Sequence, residues 1–189
     1  MVLTDNMEAM IEASRVFANL TRQKAVRDYL SKKQIDRIMI TMLDSGNREV
    51  VYISCGVLIN FMVDEDKRPT LKAEGGIRKL IEVLRDFSRT DWELASLVCQ
   101  ILWNYSGKIT SANNCFGEQE SQELAELLSE LLDKNSALNP SFQEDIDEDM
   151  LDFYEETWTD EFCPVAEQLH HRIVTHQSDL EPLDNPGNS

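Results

Sequence analysis

The residues able to do chemistry are few in this chain, and their spacing argues against most of it. The histidines, His170, His171 and His176, are adjacent or five residues apart in one C-terminal segment. A helical zinc site needs ligands one turn apart on a common face, so these three are expected to be surface residues. The cysteines, Cys55, Cys99, Cys115 and Cys163, show no Cys-x-x-Cys spacing, which fits free thiols in a reducing, cytoplasmic compartment. Asp145, Asp147 and Asp149, with Glu156 in the twelfth place, approach a calcium-binding loop. Met150 stands where that loop needs glycine and Asp152 where it needs an apolar side chain, so a solvated acidic helix is expected instead. There is no glycine-rich phosphate loop and no Ser-His-Asp set. The residues therefore suggest a non-enzymatic protein, with no catalytic, cofactor-binding or metal-binding group.

The polar residue that recurs is asparagine. Asn19, Asn60 and Asn104 end three similar segments, Ser14–Leu20, Cys55–Phe61 and Cys99–Tyr105, and lie 41 and 44 residues apart. Five positions before each is a small residue (Ser14, Cys55, Cys99), and three before is a β-branched one (Val16, Val57, Ile101). Leu20, Phe61 and Tyr105 follow directly. Small residues at a fixed helical position let a neighbouring helix approach closely, and the apolar ones build a buried stripe. This also explains Cys55 and Cys99 as packing residues, since a nucleophile would not recur at one packing position. Asparagine costs roughly 0.5 kcal/mol against alanine inside a helix, so three at one position point to a use. One such use is that each side chain caps or bridges within its own helix pair.

These asparagines must be held by helices. Gln34–Met39 aligns with Gly76–Ile81 at an offset of 42, which predicts a shorter helix (34–44 and 76–87) before each longer one (48–62 and 91–106). Ser45-Gly46-Asn47 is a turn cluster, and Thr90-x-x-Glu93 has capping-box spacing. Shorter, poorer helices lie between the units, with Pro69 limiting the one at 64–73. A first long helix is expected at 5–20. Leu124, Leu127, Leu128, Leu131 and Leu132 mark an acidic helix at 120–134, followed by helices at 142–158 and 162–176.

A period of about 40–47 residues with two or three helices per unit marks an armadillo or HEAT solenoid. Gly75-Gly76-Ile77, Leu80-Ile81 and Val83-Leu84, followed by Leu102-Trp103-Asn104-Tyr105, resemble an armadillo repeat. That family has a Gly-x-Ile-x-x-Leu second helix and an asparagine near the end of a long third helix. The resemblance covers residues 5–110 and implies an all-α, right-handed α-solenoid with a helical acidic C-terminal extension. The third helix of a truncated repeat is expected at 1–20, and full repeats at 21–62 and 63–106. A degenerate acidic last repeat at 107–158, a C-terminal helix at 159–177 and a disordered tail at 178–189 complete the division.

In armadillo proteins the matching asparagines line a groove and bond the backbone of an extended peptide. The resemblance implies this role for Asn19, Asn60 and Asn104, with Arg15 and Gln100 as further partner contacts. Nuclear-import receptors of this fold carry tryptophan one turn before the asparagine. Arg15, Gly56 and Gln100 stand there in this chain, so a basic-peptide pocket of the import type is not expected. The runs Val16–Arg22, Val57–Asp64 and Ile101–Ser106 resemble the C-terminal repeats of a family member associated with building the axoneme of cilia and the sperm flagellum. This implies a scaffold in central-pair or radial-spoke assembly, with axonemal or intraflagellar-transport components as partners. A cytosolic adaptor in transport or signalling is the alternative. Because the chain opens on a third helix, it is expected to be the C-terminal part or short isoform of a larger protein, with that helix favouring self-association.

Charge narrows the partners further. The net charge is −17, but residues 1–110 carry 16 Lys/Arg against 15 Asp/Glu, and residues 111–189 carry 2 against 20. So acidic a C-terminal third repels nucleic acid and anionic lipid, and no apolar run approaches a membrane span.

Overall fold

A computed structural model describes residues 16–138 and 148–176, and its regular structure there is helical throughout. Residues 16–20 form the end of a helix, α1. Next come α2 (Lys24–Lys32), α3 (Ile35–Met42) and α4 (Arg48–Phe61). The order of two shorter helices, first and middle, and then a long one is repeated by α5 (Arg68–Ala73), α6 (Gly76–Phe87) and α7 (Trp92–Tyr105). The expected middle and long helices at 34–44, 48–62, 76–87 and 91–106 thus match within two residues. Arg15, most of the expected first helix, Asp145, Asp147 and the tail from residue 178 lie outside the described residues.

Local chemistry explains the boundaries. Asn47 caps α4 by accepting from the Val50 amide, and Asp91 caps α7 by accepting from the Leu94 amide. The cap of α7 is therefore Asp91, one residue later than the capping-box spacing at Thr90 suggested. Pro69 stands in the first turn of α5, where its missing N–H costs nothing, so it starts this helix. Gly75 enters α6 at φ +69°, and Gln34 enters α3 at φ +59°. These two left-handed residues fix the backbone offset between units at 41, one residue less than the hydrophobic alignment gave. Asp36, Ile40 and Leu43 then match the buried Ile77, Ile81 and Leu84, while Ile38 is exposed. Gly76 must stay small: a Cβ there would lie 2.9 Å from the Leu71 carbonyl oxygen.

After α7 the units lengthen. A five-residue α8 (Ala112–Phe116) precedes α9 (Glu118–Leu132) and α10 (Lys134–Ala137). From Glu148 the chain is helical without a break: α11 (Glu148–Thr157), a π-turn (Trp158–Phe162) and α12 (Cys163–Thr175). The boundary drawn at 158/159 from sequence falls inside this helix. Trp158 and Phe162 anchor it on α7, their ring centroids 6.5 and 4.9 Å from that of the buried Trp92. The Trp158 indole also donates to the Leu131 carbonyl at 3.0 Å. The Ala112 amide donates to the His176 carbonyl at 2.8 Å, tying the end of α12 to the start of α8. The long helices α4, α7 and α12 consequently stack in a row, α7 packing on both its neighbours.

Candidate interaction groove

The row of long helices is cross-linked by one repeated hydrogen bond. Asn60 donates through Nδ2 to the Ala18 carbonyl at 2.9 Å, and also reaches Thr21 Oγ1 at 3.0 Å. Asn104 donates to the Ile59 carbonyl at 3.0 Å. In both cases the acceptor is the carbonyl just before the asparagine of the preceding long helix. The next rung would need a donor to the Trp103 carbonyl, and Arg172 Nη1 supplies it at 2.8 Å. Arg172 also bonds Ser106 Oγ at 3.1 Å and stacks its guanidinium on the Trp103 ring, 3.0 Å from the centroid. Burial of this cation pulls its pKa down. Arg172 therefore occupies the place of a fourth asparagine. Sequence comparison missed it because it is another residue type, 68 positions beyond Asn104. Its one sequence signal is the flanking pattern: Leu169, three before, and Ile173, one after, are both buried.

Asn60 and Asn104 thus bridge between successive long helices, whereas the sequence suggested a cap or bridge within one helix pair. Asn19 is exposed, Asn60 and Asn104 half-buried. Gln100 is half-buried, and its side chain donates to Ser96 Oγ at 3.1 Å on its own helix.

Beside the Asn60 rung, a groove of about 650 Å³ opens across α1, α4 and α7. Its apolar lining is Ala18, Ile53, Gly56, Ile59 and Leu97, and its charged lining is Arg22, Arg48, Glu49 and Glu93. Tyr52 donates to Glu93 Oε1 at 2.7 Å, and burial followed by this bond pushes its hydroxyl up to about 12. It remains a neutral donor at physiological pH. Arg48 bonds Asp91 Oδ2 at 2.5 Å and lies 4.8 Å from the Tyr52 ring centroid. These contacts join the start of α4 to the start of α7.

A second charged cluster ties α2 to the segment that follows α4. The buried Arg27 forms two 2.8 Å bonds to the buried Asp64 and donates to the Thr21 and Arg22 carbonyls, also at 2.8 Å. Lys67 joins through Asp28 Oδ1 at 2.6 Å. The hydrogen bond from Lys67 lowers the Asp28 carboxyl to about 2, and that from Arg27 lowers Asp64. Arg68, 41 residues after Arg27, donates to the Met62 carbonyl at 3.0 Å, so the same device closes the next long helix. The thiols of Cys55 and Cys99 have no such polar partners. Cys55 and Cys99 are fully buried, and desolvation pushes both far above their ordinary value. Among the described residues no group of His, Cys, Asp or Glu is arranged to hold a metal, and no helix is long and apolar enough to cross a membrane.

No family model matches the chain, and no solved structure does. Curated proteins do. The chain is 45% identical over 186 residues to Armadillo repeat-containing protein 2 of Bos taurus, and 45% and 44% identical to the proteins of that name from Mus musculus and Homo sapiens. These alignments take in 98% of the chain and 21% of each relative, so the chain spans about a fifth of the length of the relatives it matches. The fold is accordingly an all-α solenoid of the armadillo type, as the repeated asparagine helices suggested.

Proposed function

We propose, from this similarity to Armadillo repeat-containing protein 2, that the chain is a non-enzymatic scaffold whose groove across α1, α4 and α7 receives extended segments of other proteins. The groove carries the proposal: a lining of apolar and polar side chains from α1, α4 and α7 offers both anchoring surface and hydrogen-bonding groups. Residues 21–62 and 63–106 act as repeats in this reading, and α8 to α12 form a third whose long helix is α11–α12. Asn60 lines this groove, and Asn19, Asn104, Gln100 and Arg15 are proposed as further partner contacts. Because an amide carries two N–H donors and an acceptor, the single bond of Asn104 leaves capacity for a partner backbone. The setting is axoneme organisation in cilia and the sperm flagellum, and the partners are axonemal or intraflagellar-transport proteins. A cytosolic adaptor unrelated to cilia is the second reading, favoured only by the general use of the fold.

Two measurements test this. Affinity capture with the chain from ciliated cells or spermatids should recover axonemal proteins, and their absence sets aside the ciliary setting. The double variant Asn60→Ala/Asn104→Ala should lose those partners while keeping its helical circular dichroism. Unchanged capture removes these asparagines from the binding surface.

A further inference from the structure

We infer that Arg68 anchors a site, apart from the groove, for a carboxylate side chain on an acidic segment of a partner protein. The template is the first unit of the chain itself. There Arg27 donates to the Thr21 carbonyl, two residues after Asn19, and grips the buried Asp64 carboxylate through two 2.8 Å bonds. Arg68 stands 41 residues after Arg27 and donates to the Met62 carbonyl, two residues after Asn60, so it starts from the same position. Its counter-charge is different. Asp64 lies four residues after Asn60, whereas four residues after Asn104 the chain has Lys108. That lysine is exposed and pairs with Glu65 at 2.5 Å. Among the described residues Arg68 forms no ion pair, and neither of its Nη nitrogens has a hydrogen bond.

The surroundings favour the same occupant. Gly107, an exposed residue, lies beside the fork of Arg68: a Cβ there would sit 3.3 Å from Nη2 and 3.7 Å from Nη1. The matching residue of the first unit is Val63, so glycine leaves the second fork open to an incoming side chain. Other cations gather around it. Burial raises the Cys115 thiol to about 11 against the pull of Lys72, Arg68 and Arg172, all three of which are within electrostatic reach of it. Lys72 bonds the Asn114 carbonyl, and Arg172 bonds the Trp103 carbonyl and Ser106. Neither forms an ion pair among the described residues. Glu65 also feels Arg68, but its carboxyl is held first by Lys108. Like charges gathered in this way repel, and a carboxylate accepting both Nη groups of Arg68 offsets that repulsion. Aspartate or glutamate matches the planar fork, as Asp64 does for Arg27.

A displayed library of short random peptides, depleted on Arg68→Gln and then selected on the full chain, tests this. The enriched peptides should carry Asp or Glu. Anisotropy titration belongs at physiological salt, where a Debye length of about 8 Å screens the net negative charge of the chain. Arg68→Lys should bind these peptides at least about tenfold more weakly, because ammonium presents no fork. Lys108→Asp restores the carboxylate of the first unit, so it should abolish the binding. It should also raise the thermal midpoint by roughly 2–4 °C over Lys108→Asn, which has the same shape without the charge. Enrichment of peptides that lack a carboxylate overturns the site, as does a library with no enrichment. A Lys108→Asp chain that still binds the acidic peptides, or melts as Lys108→Asn does, overturns it too.

Discussion

Arg172 joins in one side chain two roles that the other rungs leave apart: it supplies the donor that asparagine supplies elsewhere, and it covers Trp103. Arg172→Ala should therefore remove a charge-assisted hydrogen bond and a stacked cation together. We expect a loss of about 2–3 kcal/mol in chemical denaturation, with a red shift in tryptophan emission as Trp103 meets water. Arg172→Lys should recover part of the stability but not the stacking, because ammonium lacks the planar face. An alanine variant with unshifted emission would show that the guanidinium does not shield the ring. The asparagines illustrate how residue and function can part company. Their recurrence was plain in the sequence, but Asn60 and Asn104 each spend an N–H inside the protein, on carbonyls that lie 42 and 45 residues earlier.

Between elements, the entry to the middle helix is decisive. Gly75 takes a left-handed conformation without cost, whereas Gln34 adopts the same conformation with a Cβ that opposes it. Gln34→Gly should relieve this and raise stability by about 0.5–1 kcal/mol, visible as a higher thermal midpoint with the same helical content. A lower midpoint would mean that the Gln34 side chain contributes more than its backbone strain removes. The π-turn at Trp158–Phe162 solves a different problem. One continuous helix carries Tyr154, Trp158 and Phe162, and all three rings come within 6.5 Å of Trp92. The extra residue in the turn changes the rotation of the helix between α11 and α12. Aromatic residues in α11 and the Leu169–Ile173 stripe in α12 can thus both face α7.

At the scale of the molecule, carboxylates whose pKa is depressed by the fold govern the acid limit. Asp28, at about 2, and Asp64, lowered by Arg27, stay ionised in the folded chain below the pH at which they protonate when unfolded. Their contribution is complete above the ordinary carboxylate pKa of about 4 and is lost as the pH falls towards 2, since the unfolded chain then takes up protons the folded one refuses. Urea midpoints should hold to about pH 4 and fall steeply below it, more steeply than in Asp28→Asn/Asp64→Asn. Equal slopes in the two proteins would place the acid sensitivity elsewhere. The high negative charge works in the opposite sense near neutrality, where self-repulsion is largest.

What the sequence determined by itself was mostly local: the positions of the middle and long helices, the turn at Ser45-Gly46-Asn47, the buried stripes of α4, α6, α7 and α9, and an asparagine that recurs with the repeat. Hydrophobic period and turn chemistry act over a few residues, and a linear comparison reads them directly. The tertiary structure decided what joins distant residues. It set the register of α3 against α6 at 41, because the left-handed entry residue outranks a shifted apolar match. It placed α11 and α12 as one long helix on α7, through rings 66 and 70 residues beyond Trp92. It also ended the hydrogen-bond row on Arg172, where Glu167 replaces the small residue found five before each asparagine and is exposed. Among the described residues no further helix packs on that face, so the demand for a small side chain lapses. With it goes the sequence signal that marked the earlier rungs.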